Sequence, residues 1–184
     1  LGICLGSQLI ARAFGARVYK LPAAAAHTAY PVVPASSFSA PAGHEYGFLA
    51  QQTTQAGWDD PILGPSLQRS GATVFQEWHE DSFDLPGEAV LLGTRSVGAT
   101  NQSFRIGPST YGFQYHIEVG EALAQKWHNG WRRMWTLTPD EEKALAKELK
   151  GQIKSGAIGK SEVFVHEFVQ RWLNVARRES GARL

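Results

Sequence analysis

Gly2-Ile3-Cys4-Leu5-Gly6-Ser7-Gln8 places the only cysteine of the chain between two glycines, where a short apolar segment gives way to a helical pattern. A G-x-C-x-G turn bends a strand sharply into a helix and lifts the cysteine side chain above the sheet. Glycines, having no Cβ, let strand and helix pack closely around the bend. The helix start that follows favours negative charge, and so favours the thiolate, which is the nucleophilic form. A lone cysteine can equally be a small buried hydrophobe. The elbow by itself leaves both roles open.

A second segment, Tyr111-Gly112-Phe113-Gln114-Tyr115-His116-Ile117-Glu118-Val119, reads as a short strand. Residues two apart on an extended backbone point to one face, so His116 and Glu118 share a side. A carboxylate there can hold one imidazole nitrogen while the other faces a thiol, which is how a catalytic triad orients its base. Singly, His116 is a hydrogen-bonded strand-end histidine and Glu118 a solvated acid. Together with Cys4 they form a candidate nucleophile, base and orienting acid.

The elbow and YGFQYHIEV, with Trp78-His79-Glu80-Asp81-Ser82-Phe83-Asp84-Leu85-Pro86 and Asn101-Gln102-Ser103-Phe104 between them in that order, resemble class I glutamine amidotransferase domains, and most closely their GMP synthase-like branch. The resemblance spans roughly Leu1 to Val119. It implies a flavodoxin-like α/β fold, with an open, mostly parallel sheet and helices on both faces. It also implies a Cys4–His116–Glu118 triad that hydrolyses the side-chain amide of L-glutamine and supplies ammonia to a synthase or acceptor domain or subunit. In that scheme the Leu5 N–H serves the oxyanion hole and Gln8 contacts the substrate. The region around Trp78 and His79 then lies beside the pocket, mostly through backbone. The chain departs from the family in carrying Ile117 where proline is usual, which frees φ but deletes no catalytic group. Gln114-Tyr115 replaces the commoner Gln-Phe. The family also carries strands and a glycine-rich loop, with a second oxyanion donor, ahead of the elbow. The expectation is therefore that a strand-rich segment precedes Leu1. Two rival functions share this resemblance: a γ-glutamyl hydrolase using the same triad, and a non-catalytic binding or regulatory subunit.

Composition narrows the remaining classes. With 184 residues, 43% hydrophobic and 19% charged, one domain with a sizeable core is expected over 1–184. A formal charge of +1 gives no basis for a nucleic-acid surface. One cysteine excludes an internal disulfide and fits a reducing, cytoplasmic setting. No apolar run reaches the roughly 20 residues of a membrane span. His79, Glu80 and Asp81 lack partners at metal-site spacing, and the glycines fit no phosphate loop, so neither metal nor cofactor is expected. His116-x-Glu118 also resembles a zinc deaminase H-x-E, but that site needs a P-C-x-x-C which a single cysteine cannot provide. Assembly into a homo-oligomer stays open.

The pattern outside the motifs predicts a helix over 7–14, with Leu9, Ile10, Ala13 and Phe14 on one face and Gly15 at its end. Strands are expected over 17–20, 73–78, 89–92, 102–106 and 112–116, the last two antiparallel around Gly107-Pro108. The Ala/Pro-rich stretch 22–47 reads as a surface insertion rather than a lid. A helical extension is expected over 120–184. Its Trp127, Trp131 and Trp135 form a stripe for core or partner packing. Thr138-Pro139-Asp140-Glu141 starts a helix ending near Gly151, and Ser161 caps a last one carrying Phe164, Phe168, Trp172 and Val175.

Overall fold

The computed structural model describes residues 1–22, 43–95, 98–134, 139–179 and 181. In chain order, β1 (Gly2–Ile3) runs into α1 (Leu5–Ala13), followed by β2 (Val18–Lys20), β3 (Glu45–Ala50), β4 (Gln52–Thr53), α2 (Gln55–Asp59), α3 (Leu63–Ser70), β5 (Val74–His79), β6 (Asp81–Phe83), β7 (Val90–Thr94), β8 (Asn101–Ile106), β9 (Thr110–Phe113), α4 (Glu121–Met134), α5 (Pro139–Lys154) and α6 (Ala157–Glu179). The main sheet has the order β1-β9-β8-β7-β4, with two short antiparallel pairs, β2-β6 and β3-β5, beside it. The expected α/β architecture with helices on both faces holds. Its described pairings are mixed: β1 runs parallel to β9, whereas β9-β8, β8-β7 and β7-β4 are antiparallel.

Strand alternation sorts the two faces. Tyr111 and Phe113 of β9 point to one side, where they meet Leu63 and Leu67 of α3 and Phe164 and Phe168 of α6. Phe104 and Ile106 of β8 point to the other, against Ala11 of α1 and Phe83 of β6. Each large side chain buried in this way contributes roughly 1.5–3 kcal/mol. The rings of Phe164 and Phe168 lie edge-on to Phe113, at centroid distances of 6.5 and 5.0 Å. The face expected for the last helix is the one observed, and Trp172 adds a hydrogen bond from its indole N–H to the Ser109 carbonyl at 2.7 Å.

Several expectations are corrected. The first helix begins at Leu5, and its buried residues are Ser7, Gln8 and Ala11, while Leu9 and Phe14 are exposed. Ser7 and Ala11 fit beneath the elbow, and Gln8 is buried there through amide hydrogen bonds to Asp81 and Gln114, while Ile10 packs at the edge of the Phe83–Phe104 cluster. Residues 45–47 of the Ala/Pro-rich stretch belong to β3, and 23–42 lie outside the described residues. Helices α2 and α3 and strands β3, β4 and β6 were not foreseen. Local signals exist for the two helices: Thr54 accepts from the Gly57 N–H at 3.0 Å, and Asp60 Oδ1 accepts from the Ile62 and Leu63 N–H groups at 3.0 and 2.8 Å. Pro139 opens α5 as expected, but that helix runs through Gly151 to Lys154. Ser161 is no cap: it is buried inside α6 and donates to the Ile158 carbonyl at 2.7 Å. Of the tryptophan stripe, Trp127 is described below, whereas the Trp131 side chain and Trp135 lie outside the described structure.

Candidate active site

Cys4 sits between β1 and α1 with φ 50° and ψ −111°, and it alone among described non-glycine residues has positive φ. Such a conformation costs about 1–3 kcal/mol and persists only where the surroundings impose it. Here they do so through both of its peptide groups. Its N–H donates to the Phe113 carbonyl at 2.7 Å, and its carbonyl accepts from the Ser7 and Gln8 N–H groups at 3.0 and 3.2 Å. Gly2 supplies the room. A Cβ there would lie 2.5 Å from the Gly6 carbonyl carbon and oxygen, whereas a Cβ on Gly6 itself would meet nothing within 4 Å. The close approach expected of both glycines therefore rests on Gly2. Gly2→Ala should destabilise the fold by about 1–3 kcal/mol, as overpacking does. It should also slow alkylation of Cys4, because α1 must move away from the thiol. Urea denaturation and timed iodoacetamide labelling measure the two effects.

His116 follows β9 after a bend and makes a bridge to β5, its N–H donating to the Gln76 carbonyl at 2.8 Å. Residues 116–118 form a bridge and turn, not the expected strand. The turn brings the two side chains together all the same, with His116 Nδ1 2.6 Å from Glu118 Oε1. Nε2 is left for the Cys4 thiol, the ring's other hydrogen-bond partner. Burial lowers the imidazole pKa, but the hydrogen bonds from Cys4 and Glu118 outweigh it and hold the pKa at about 9, above the ordinary 6.5. The thiol also lies 3.6 Å from the Trp78 carbonyl and 3.9 Å from the Gln114 amide nitrogen.

Cys4, Leu5, Gln8 and Trp78 line one open cavity of about 310 Å³, rimmed by Glu80 and Asp81. That is the low end of the range for small-molecule sites. Leu5 is the first residue of α1, so its N–H is among those a helix leaves without an internal acceptor. The Gln8 amide N–H₂ group is committed to the Asp81 carbonyl at 3.1 Å and Gln114 Oε1 at 3.2 Å, which ties α1 to the corner between β5 and β6.

His79 also lines the cavity, but its buried ring has both nitrogens engaged by protein groups. Nδ1 is 2.9 Å from the Asp81 carbonyl, and Nε2 is 2.9 Å from Glu77 and 3.1 Å from Glu45. Arg95 completes the group, with Nη1 2.6 Å from Glu45 and 3.8 Å from Glu77. Sequence reading missed this buried quartet, because its members come from β3, β5 and the end of β7 and no local spacing links them. The ligand atoms of Glu45, Glu77 and His79 lie within 4.8 Å of one another, close enough for a metal ion. Two carboxylates already face an imidazolium and a guanidinium, so a cation would have to compete with Arg95 and displace a proton from His79.

Burial lowers the His79 pKa, but bonds to Glu45 and Glu77 overcome this and raise it from 6.5 to about 10. A raised pKa means the folded protein holds the proton more tightly than the unfolded chain does. This stabilisation is complete below pH about 6.5 and disappears as pH rises through about 10. The melting temperature should fall over that interval, and His79→Gln should flatten the decline. Thermal scans from pH 6 to 10.5 on both proteins test the sign.

The description "Glutamine amidotransferase class-I" matches this chain over residues 1–126. The chain belongs to the class I glutamine amidotransferase family. It is 30% identical over 118 residues to YfeJ of Salmonella typhimurium, a glutamine amidotransferase-like protein, across 64% of this chain and 39% of YfeJ. Its fold is similar to that of a glutamine amidotransferase from Thermotoga maritima, with a TM-score of 0.63 and 23% identity over 93% of this chain and 60% of that one. A glutamine amidotransferase from Methylobacillus flagellatus gives a TM-score of 0.53 at 20% identity, over 92% of this chain and 61% of that one. The chain thus spans about two-fifths to three-fifths of the length of these relatives. No helix among the described residues is long and apolar enough to cross a membrane.

Proposed function

We propose that this amidotransferase domain hydrolyses the side-chain amide of L-glutamine, with Cys4 as nucleophile, His116 as acid and base, and Glu118 as the group that orients His116. The observation carrying this reading is the strained cysteine elbow facing an imidazole whose far nitrogen is held 2.6 Å from a carboxylate. Cys4 sulfur attacks the amide carbon, and the Leu5 N–H meets the oxyanion. Such a donor is worth roughly 3 kcal/mol in comparable sites. As the C–N bond breaks, His116 gives its proton to the departing nitrogen and ammonia leaves a glutamyl thioester. Water then attacks the thioester carbon while His116 takes its proton, releasing glutamate and restoring the thiol.

The switch of His116 from acid to base follows from what raises its pKa. The Cys4 sulfur is one of those causes. Acylation ties that sulfur up, so His116 becomes less basic than in the free site and can return its proton after water attack. Gln8 and the Trp78-His79 backbone would contact the substrate. The ammonia would pass to a synthase or acceptor domain or subunit. Ammonia release from L-glutamine, L-asparagine and γ-glutamyl peptides by wild type and His116→Ala is the direct assay. Expected are release from glutamine by wild type and its loss in the variant. Full activity of His116→Ala would remove the mechanism, and preference for γ-glutamyl peptides would make the protein a γ-glutamyl hydrolase.

A further inference from the structure

Trp127 lies on α4, one residue past the stretch matched to the family. Its ring centroid is 4.8 Å from that of His116, at an interplanar angle of 89°. On another side it is 4.8 Å from the Trp78 ring at 78°, and Trp78 in turn meets Tyr46 edge-on at 5.9 Å. Trp127 therefore touches both the residue whose imidazole faces the thiol and the residue whose carbonyl lies 3.6 Å from it. It is itself held from behind by the apolar cluster joining Phe48 and Val74 to Ala124 of α4 and Ile158 of α6.

We propose that Trp127 is a positioning residue for the active site: a clamp through which the C-terminal helices fix the His116 ring against Cys4. The proposal rests on the triad reading for what His116 does, but the contact itself does not. Glu118 fixes one nitrogen, and the Gln76 carbonyl fixes the backbone. Neither stops the ring from tilting about the Nδ1–Oε1 bond, whereas an indole packed perpendicular to it does. A protonated imidazole beside an aromatic ring also gains a cation–π attraction, so the clamp favours the charged ring. The groups around His116 are the Cys4 thiol from the elbow, Glu118 from its own turn, the Gln76 backbone of β5 and Trp127 of α4. Two of these four carry a titrating side chain. The aromatic partner thus acts through the ring's orientation and its charge without exchanging a proton itself.

The test compares wild type, Trp127→Phe, Trp127→Leu and His116→Gln in the full chain. Protonated imidazole quenches a touching indole. The fluorescence of wild type minus that of Trp127→Phe should therefore titrate with a midpoint above 6.5, and the titration should vanish in His116→Gln. Iodoacetamide labelling of Cys4 across pH 5–10 supplies the second readout. Trp127→Leu should slow it at neutral pH by about tenfold and shift its profile, the size expected of one cation–π contact. Trp127→Phe should restore most of the rate. If Trp127→Leu does not fold, Trp127→Phe and the fluorescence titration still decide. A difference titration that is flat or survives His116→Gln overturns the clamp, as does a folded Trp127→Leu with a wild-type labelling profile. Absence of glutamine hydrolysis, with both readouts as expected, would overturn the triad's role and leave the clamp standing.

Discussion

Cys4→Ala should lower glutamine hydrolysis by roughly 10³–10⁶-fold while leaving the fold intact, the scale seen when a nucleophile is removed from a catalytic unit. Cys4→Gly should be equally inactive but more stable than Cys4→Ala by about 1–3 kcal/mol, because glycine adopts the observed φ of 50° without strain. Ammonia release and urea denaturation give the two numbers. Their combination separates the two roles open to a lone cysteine. A core cysteine loses packing when shortened, so its glycine variant is the less stable one. A nucleophile held on a strained corner loses function and gains stability. A Cys4→Gly protein less stable than Cys4→Ala would place the cysteine among the packing residues.

Arg95→Met should cost about 3–5 kcal/mol, the usual consequence of removing one partner from a buried ion network. The guanidinium is 4% exposed, and it lies 2.6 Å from a Glu45 carboxylate that is also 4% exposed. Without it, the His79 imidazolium is the one cation left to Glu45 and Glu77, since the Gln51 amide at 2.7 Å and the Ala99 N–H at 3.2 Å bring hydrogen bonds but no charge, and one negative charge is stranded. Gly98 brings the backbone against Glu45. Even a Cβ there would lie 1.9 Å from the carboxylate oxygen. Adding Glu45→Gln to Arg95→Met should recover much of the loss, because the stranded charge goes with it. A double variant no more stable than the single one would show that Arg95 acts through packing instead. The denaturation midpoint of each protein is sufficient to decide.

The parts of the site that lie close together along the chain were legible in the sequence. The elbow, the His116-x-Glu118 pair and the order of motifs point to the class I amidotransferase family and to an α/β sheet. His116 and Glu118 meet as expected but by a different route, since a tight turn can bring residues two apart together as a strand face does. The face of α1 differs from the expected one because periodicity marks apolar residues, whereas the inner face here is taken by Ser7, Ala11 and a hydrogen-bonded Gln8 while Leu9 and Phe14 are exposed. The buried quartet could not be read at all. Glu45, Glu77, His79 and Arg95 look like ordinary surface charges until β3 pairs with β5 and places Glu45 opposite His79. Trp127 was visible as part of a stripe, but a stripe does not reveal which ring it will touch.

The order in which the chain is made acquires meaning from the packing of β1. Gly2 and Ile3 find their only described strand partner in Gly112 and Phe113 of β9, and Ile3 packs against the cluster that Phe164 and Phe168 of α6 complete. A ribosome adding about 5–20 residues per second needs on the order of ten to thirty seconds to travel from the elbow to α6. Through that interval the corner bearing Cys4 has no lid of aromatic rings and no reason to hold its strained φ. The Cys4 thiol is synthesised well before the β9 and α6 residues that set its corner in place, so its early life depends on whatever keeps nascent chains from aggregating or oxidising.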